Sequence, residues 1–299
     1  LEMKGWPKND ANIILYVEVV LMVLFLTMNG ADLWIQQNSP ELNYISAGSF
    51  PISQYLLPLF DGLSSNVVFI IERSAWWLHI IGILCFLNYL YYSKHLHILL
   101  AFPNTYFANL NAKGKFSNLK SVTNEVKMML DPSIDPYSNA SSVEVSKFGA
   151  SDVFDLSKIQ LLNAYTCTEC GRCTSECPAN QTGKKLSPRK IMMDTRDRVE
   201  AVGRNIDTNK GEFKPDGKEL LSDYISKEEL WACTSCNACV EACPIGIDPL
   251  SIIMDMRRYL VMEKSDAPSE LNNMMSNIEN NGAPWPFNQM DKLNWKNEI

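Results

Sequence analysis

Residues 167–178 read CTECGRCTSECP, and residues 233–244 read CTSCNACVEACP. Both segments follow the spacing C-x2-C-x2-C-x3-C-P, and together they contain eight of the nine cysteines in the chain. The proline after each fourth cysteine marks a turn, which takes that cysteine away from the three before it. We therefore expect the two segments to come together and the rest of the chain to be organised around them.

This spacing holds two [4Fe–4S] clusters in bacterial ferredoxins, where the fourth cysteine of each run binds the other cluster. One predicted cluster takes four cysteines: Cys167, Cys170, Cys173 and Cys243. The second takes the other four: Cys233, Cys236, Cys239 and Cys177. Zinc is the main alternative, because C-x2-C pairs also form zinc sites. Two tetrads of identical spacing, each closed by Cys-Pro and lacking histidine partners, favour the iron–sulfur clusters.

The overall composition fits a chain that is partly embedded in a membrane. Hydrophobic residues make up 46% of its 299 residues, which suits one membrane part and one water-exposed part better than a single soluble fold. The net charge of −7, with no basic patch in the sequence, argues against a nucleic-acid partner. Cysteines in cluster spacing indicate a reducing compartment rather than disulfides. The ninth cysteine, Cys85, lies in an apolar run and is expected to pack there.

Residues 1–100 are predicted to form the membrane part, with transmembrane helices at about 11–30 and 73–93. Lysines lie before the first helix and after the second, while residues 31–71 contain no Lys or Arg. On the positive-inside rule, both outer flanks face the cytoplasm. We therefore expect a protein of the bacterial inner (cytoplasmic) membrane that contacts membrane lipid, with its iron–sulfur domain on the cytoplasmic side.

All three histidines lie in or beside the second predicted helix, and two of them are candidate haem ligands. On one continuous helix, the 18 residues from His79 to His97 complete five turns, so both imidazoles share a face about 27 Å apart. His95 points to another side and fits a surface role. The alternative is that His79 packs through a hydrogen bond and that His95 and His97 are interfacial polar residues. The spacing favours b-type haem at His79 and His97, with the second axial ligand of each iron supplied from outside this sequence.

The rest of the chain divides into three parts. Residues 101–151 have the turn-rich composition of a linker. Residues 152–264 form the predicted dicluster domain. Residues 265–299 are polar with isolated aromatic side chains, and such a tail is expected to bind a partner subunit.

The dicluster domain contains an internal repeat beyond its cysteines. Residues 187–196 read SPRKIMMDTR and residues 248–257 read DPLSIIMDMR, so each cysteine run is followed by a proline-started helix. Helix-like patterns also cover 189–202 and 217–230. We therefore expect a helix-rich domain rather than the compact fold of small ferredoxins.

Taken together, these features resemble membrane-bound iron–sulfur proteins in which a part like the respiratory nitrate reductase gamma subunit precedes a domain like the C subunit of heterodisulfide reductase. The two cysteine runs carry the resemblance of the soluble part. The membrane part matches through WWLH at 76–79 and SKHLH at 93–97, followed by Pro103 and Asn104. Bacteroidetes-type (Fe-S)-binding proteins are similar along almost the whole length.

The resemblance implies a mainly α protein, with the C-terminal pair of transmembrane helices of a longer membrane bundle plus an α-helical dicluster ferredoxin domain. It also implies two b-type haems, whose ligands map to His79 and His97. Related proteins often continue into cysteine-rich CCG domains. A separate CCG-domain iron–sulfur subunit is therefore the expected partner of this chain.

The predicted function is that of an electron-transfer subunit of an oxidoreductase complex, not of a stand-alone enzyme. Electrons would pass between a cytoplasmic redox partner, two [4Fe–4S] clusters, b-type haem and the quinone pool. Menaquinone is the expected quinone and a flavoprotein the expected electron donor. One alternative is a haem-free, membrane-anchored iron–sulfur subunit that serves a CCG-domain enzyme subunit. Another is an assembly protein whose clusters only stabilise the fold.

Overall fold

The fold is built from helices, which confirms the expectation of a mainly α protein. The structure is a computed structural model; it describes residues 6–46, 48–112, 114–131 and 147–297, and these contain no β-strand. Contacts within the chain define two units. The first comprises Leu1–Pro103 with Thr166–Gly171, and the second comprises Asn104–Tyr165 with Arg172–Ile299.

Two long helices, α1 (Trp6–Asn38) and α2 (Ser65–Leu90), form most of the first unit. A 3-10 helix, Ser53–Phe60, connects them in sequence and packs against α1. The buried core here comprises Ala31, Ile35, Phe60 and Val68. Further along, a Cβ atom at Gly82 would lie only 2.6 Å from Leu21 Cδ2. A small residue at this position therefore lets the two helices approach closely.

Both helices are long and apolar enough to cross a membrane, over Lys8–Asn38 and Ser65–Leu90. At 1.5 Å per residue they extend about 46 and 39 Å, more than the ~30 Å hydrocarbon core of a bilayer. Apolar side chains such as Leu15, Val19 and Leu84 are more than half exposed. The two helices lie at the N-terminal end of this chain, and both precede the cysteine runs. Describing them as a C-terminal pair is therefore wrong for their position in this chain.

The second long helix begins at Ser65, well before the predicted start near residue 73. It therefore contains Glu72 and Arg73, two adjacent charges of the kind that are costly inside a membrane helix. Glu72 is buried and accepts a hydrogen bond from Tyr44 Oη at 3.0 Å. Arg73 donates to the same carboxylate at 2.6 Å. Because the protein itself neutralises these charges, the helix can include them.

Ten further α-helices follow within the described ranges. They are α3 (His97–Tyr106), α4 (Lys120–Leu130), α5 (Lys158–Thr166), α6 (Arg172–Ser175), α7 (Pro178–Gln181), α8 (Pro188–Thr208), α9 (Lys227–Ala232), α10 (Ala238–Glu241), α11 (Pro249–Met262) and α12 (Ser269–Asn281). Two of these, α3 and α4, lie wholly or partly in the predicted linker. Residues 132–146 of that linker are outside the described residues.

Helices α8 and α11 supply a large share of the core of the second unit. Their buried side chains include Ile191, Met192, Leu250, Ile253 and Met256. Both helices begin as the internal repeat predicts, with a proline at the first helical position. The side chains of Ser187 and Asp248 each accept a backbone N–H of the first turn. The repeat predicted from the sequence is thus confirmed as a pair of equivalent helices.

The predicted helix over 217–230 is wrong. Residues 220–224 form a π-type turn in which Ser222 has φ of +81°, and the helix proper starts only at Lys227. Two contacts hold this turn, because Leu220 N donates to Asp152 Oδ1 and Leu221 N donates to Ser151 O. The helix start is set by a capping box in which Ser226 and Glu229 bond each other's backbone N–H groups.

Gly149 lies where no side chain fits. Its φ is +81°, and a Cβ atom would come within 2.2 Å of Asp255 O and 2.6 Å of Tyr259 N, both backbone atoms of α11. We expect Gly149→Ala to destabilise the protein by about 2 kcal/mol, since both the strain and the clash are unavoidable. Thermal unfolding followed by circular dichroism measures this loss.

The matched control is Gly203→Ala. Gly203 lies inside α8, and no heavy atom lies within 4 Å of the place that an alanine methyl group would take. Alanine there should stabilise the helix by up to about 1 kcal/mol. Equal effects of the two substitutions would contradict the close approach at Gly149.

Candidate iron–sulfur centre

The two cysteine runs adopt the same local backbone. In the second run, Ser235 and Asn237 have positive φ values of 56° and 62°, and α10 follows. The corresponding residues of the first run, Glu169 and Gly171, have φ values of 60° and 81°, and α6 follows. The runs are therefore structural repeats, as their spacing predicts.

The cysteines differ in exposure. Cys177 and Cys239 are buried, and Cys236 is exposed. The remaining five cysteines of the two runs are half-buried: Cys167, Cys170, Cys173, Cys233 and Cys243. Cys236 of the second run is thus open to solvent, while Cys239 of the same run is enclosed.

Electrostatic effects show which thiols of the second unit lie near one another. Burial raises the pKa of the Cys233 thiol, and the neighbouring Cys177 and Cys236 raise it further. Burial also raises the pKa of Cys239 to about 12, with added contributions from Cys233 and Cys173. Cys177 therefore lies close to the second run, as the crossed assignment requires. The assignment of each cysteine to a cluster stays a prediction.

The surroundings of these sulfurs suit an iron–sulfur cluster. Ser235 N donates to Cys233 Sγ at 3.4 Å, and Ile247 N donates to Cys243 Sγ at 3.4 Å. Hydrogen bonds to cysteine sulfur are one of the means by which proteins tune such clusters. No three Cys, His, Asp or Glu side chains of the described residues converge on a point that would hold one metal ion. A cube needs no such point, because each thiolate binds a different iron.

The four cysteines assigned to the first cluster are divided between the two units. Cys173 and Cys243 belong to the second unit, whereas Cys167 and Cys170 lie in Thr166–Gly171, which groups with the first. The prediction that these four cysteines bind one cluster therefore depends on their spacing and on the shared backbone of the two runs.

The candidate haem ligands lie on different helices. His79 is in α2, which ends at Leu90, and His97 begins α3, so the expected spacing of five turns on one helix is wrong. The chain leaves the helical path between α2 and α3 because of a buried carboxylate, that of Asp10. Its oxygens accept from Tyr89 Oη at 2.5 Å and from Lys94 N at 3.0 Å, which ties the chain back to α1 just after α2 ends.

Both candidate imidazoles are oriented through one nitrogen. His79 Nδ1 lies 3.0 Å from Leu21 O, and His97 Nδ1 lies 2.6 Å from Lys94 O. Metal-binding histidines commonly use one ring nitrogen in this way and present the other to the metal. His95 differs, since its Nε2 lies 3.8 Å from Glu18 Oε1. Haem binding at His79 and His97 stays a prediction.

Sequence reasoning did not single out Arg257, which contacts the second run directly. Its guanidinium donates to Cys233 O at 2.5 Å, to Leu230 O at 2.6 Å and to Ser235 Oγ at 3.3 Å. The sequence feature that could have identified Arg257 is the internal repeat, because both of its copies end on an arginine, at Arg196 and Arg257.

Comparison with known proteins agrees with this geometry. Residues 166–247 match the family described as a 4Fe-4S dicluster domain. Such a domain holds two [4Fe–4S] clusters, which confirms the cofactor expected from the cysteines. No solved structure matches the chain significantly.

Three relatives extend the similarity. A protein of Bacillus subtilis named probable iron-sulfur-binding oxidoreductase FadF is 30% identical over 93% of this chain and 40% of its own length. The EtfAB:quinone oxidoreductase of Syntrophomonas wolfei is 26% identical over 97% of this chain and 40% of its own length. A probable membrane-anchored ferredoxin of Chromohalobacter salexigens is 32% identical over 47% of the chain and 23% of its own length. The chain thus spans well under half of the length of these relatives.

The resemblance to the C subunit of heterodisulfide reductase is confirmed for the soluble part. The C subunit of the Methanosarcina acetivorans enzyme is 34% identical over 38% of this chain and 55% of its own length. The likeness to the nitrate reductase gamma subunit and to Bacteroidetes-type proteins stays an expectation. The chain is therefore similar to iron–sulfur proteins of oxidoreductase and electron-transfer systems.

Proposed function

We propose that the chain is the membrane-bound electron-transfer subunit of an oxidoreductase complex. It passes electrons between a cytoplasmic redox partner, two [4Fe–4S] clusters, b-type haem and the quinone pool, with menaquinone as the quinone. The observation that carries this proposal is the joining of two long apolar helices to a dicluster domain in one chain. The similarity to EtfAB:quinone oxidoreductase over 97% of the chain supports quinone as one partner.

The residues of the chain hold and insulate the redox centres. When bound, the clusters supply one-electron redox chemistry. Cys167, Cys170, Cys173 and Cys243 would hold one cluster; Cys233, Cys236, Cys239 and Cys177 would hold the other. Buried Cys177 and Cys239 exclude water from one side of the second site, while exposed Cys236 leaves an edge that a redox partner can approach. Backbone N–H groups at Ser235 and Ile247 stabilise negative charge on the sulfurs.

The proposed location is the bacterial cytoplasmic membrane, with the dicluster domain on the cytoplasmic side. Outward-facing apolar side chains on α1 and α2 support contact with lipid. The similarity to a membrane-anchored ferredoxin supports the same location. The side of the membrane follows from the lysines that flank the two helices.

The proposed partners are a CCG-domain iron–sulfur subunit and a flavoprotein electron donor. Several similar proteins are named as subunits of heterodisulfide reductases, which supports a chain that works with partner subunits. The tail at 265–299 is the proposed partner-binding segment. Its aromatic side chains Trp285, Phe287 and Trp295 are each at least 60% exposed, as expected for side chains that pack against another protein.

A second candidate is a membrane-anchored iron–sulfur subunit without haem, which serves a CCG-domain enzyme subunit. The break between α2 and α3 favours this candidate, because it removes the shared helix face on which the paired haem sites depended. The two candidates differ in one spectroscopic property, the presence of reducible b-type haem.

A reduced-minus-oxidised absorption spectrum of the complex purified from membranes separates them. The proposed function, with one b-type haem at each histidine, predicts b-type bands that fall by about half in His79→Ala and in His97→Ala. His95→Ala is the matched control and should keep them. A complex that contains reducible clusters but shows no b-type bands would contradict the haem-containing function and support the haem-free candidate.

A further inference from the structure

Arg257 holds the loop that carries the second run. Its guanidinium donates to two backbone carbonyl oxygens, Cys233 O and Leu230 O, and also reaches Ser235 Oγ. Ser235 in turn donates its N–H to Cys233 Sγ at 3.4 Å. A single side chain from α11 thus fixes both the backbone of Cys233 and the residue that bonds its sulfur.

The charge of Arg257 is not balanced by a carboxylate. The side chain is half-buried, its guanidinium lies 5.0 Å from the centre of the Trp231 ring, and its hydrogen bonds go to uncharged oxygens. No acidic side chain of the described residues pairs with it.

The adjacent arginine shows the contrast. Arg258 donates to Asp255 Oδ1 at 2.8 Å and also bonds Ser117 O, so its charge is paired locally. A half-buried cation without such a partner is costly unless an anion lies nearby. Arg257 contacts the second run, so the anion proposed nearest to it is the [4Fe–4S] cluster that the cysteines of this run would bind. An iron–sulfur cube with four thiolates is an anion, and reduction makes it more negative.

We propose that Arg257 is the counter-charge of the second [4Fe–4S] cluster and that it raises the reduction potential of that cluster. Reduction adds one electron from the redox partner; no bond breaks and no proton moves, so the added negative charge stays near the guanidinium. Arg257 is also a positioning residue for Cys233. The inference depends on the clusters of the proposed function, but not on haem, quinone or a membrane.

The test is a redox titration of the purified complex followed by EPR of the reduced clusters. The wild-type protein should show two one-electron steps. Arg257→Gln removes the charge and keeps a hydrogen-bonding side chain, so we expect one step to shift to lower potential. The expected change is at least about tenfold in the reduction equilibrium, which is about 59 mV for one electron. The other step should stay in place.

Two further variants make the result specific. Arg258→Gln removes an equal charge one residue away and should move either step by less than about twofold in the reduction equilibrium, near 18 mV. Arg257→Lys keeps the charge but loses the forked hydrogen bonds. It should stay close to the wild-type potential while lowering the thermal unfolding temperature.

The proposal is overturned if Arg257→Gln leaves both steps unchanged, or if Arg257→Lys shifts the potential as far as Arg257→Gln does. If Arg257→Gln fails to assemble its clusters, the lysine variant alone decides between charge and hydrogen bonding. Failure of the proposed function would look different, because the two wild-type steps would remain while haem bands or oxidation by quinone were absent.

Discussion

Serine at both Cys177 and Cys239 is expected to leave one intact [4Fe–4S] cluster. The two residues belong to different cysteine runs, but under crossed ligation both bind the second cluster. The structure supports this pairing, since Cys177 contributes to the electrostatic environment of Cys233 and both Cys177 and Cys239 are buried. The double variant should therefore retain about half of the iron and acid-labile sulfide.

Serine at both Cys173 and Cys177 is the matched comparison. These two cysteines lie in the same run, yet under crossed ligation each binds a different cluster. The variant should lose most of its iron and sulfide, with no intact cube in the EPR spectrum of the reduced protein. If this pair leaves half of the iron while the Cys177/Cys239 pair loses nearly all of it, each run binds its own cluster and the crossed assignment is wrong.

The second large effect is expected for Arg198→Ala. Arg198 is fully buried, donating to Asp152 Oδ2 at 2.7 Å, to Asp216 Oδ2 at 2.5 Å and to Lys218 O at 2.5 Å. Its removal leaves two partly buried carboxylates facing each other without a cation. Breaking such a buried network costs about 3 kcal/mol or more. For a unit of this size, that corresponds to a drop of about 6–12 °C in the thermal unfolding temperature.

Arg204→Ala on the same helix is the control. Arg204 is largely exposed and lies 3.6 Å from Glu200, a surface pair of the kind that contributes little. Its replacement should change the unfolding temperature by no more than about 2 °C. Similar shifts for the two arginine variants would mean that the buried network does not stabilise α8 against the loop at 216–218.

The sequence was sufficient to predict those features that depend only on the spacing of residues along the chain. Eight cysteines at fixed intervals predicted the dicluster domain, and the proline-started repeats predicted the starts of α8 and α11. These features are local, because they depend on a few adjacent residues and on the backbone turns that those residues require.

The features that were missed depend on contacts between distant residues. The helix that contains His79 ends at Leu90 because Asp10 bonds Tyr89 and Lys94, which lie far from it in sequence. The turn at 220–224 is held by Ser151 and Asp152. Hydrophobic periodicity within a short window of sequence does not reveal such contacts. The predicted helices therefore continued through the end of α2 and through the turn at 220–224.

The role of Arg257 could not be predicted for a similar reason. Its position in the repeat is visible in the sequence, but its charge becomes significant only because no carboxylate of the described residues accompanies it in the fold. The neighbouring Arg258 has the same residue type and a partner in Asp255. Residue type alone does not distinguish the two.

Oxidation of the reduced clusters by a membrane-confined quinone tests the central claim most directly. The complex is placed in liposomes with or without menaquinone, its clusters are reduced with dithionite, and the excess reductant is removed. An electron-transfer subunit that delivers to the quinone pool should lose the EPR signal of its reduced clusters in the menaquinone liposomes and keep it in those without quinone. A signal that persists equally in both would contradict the account.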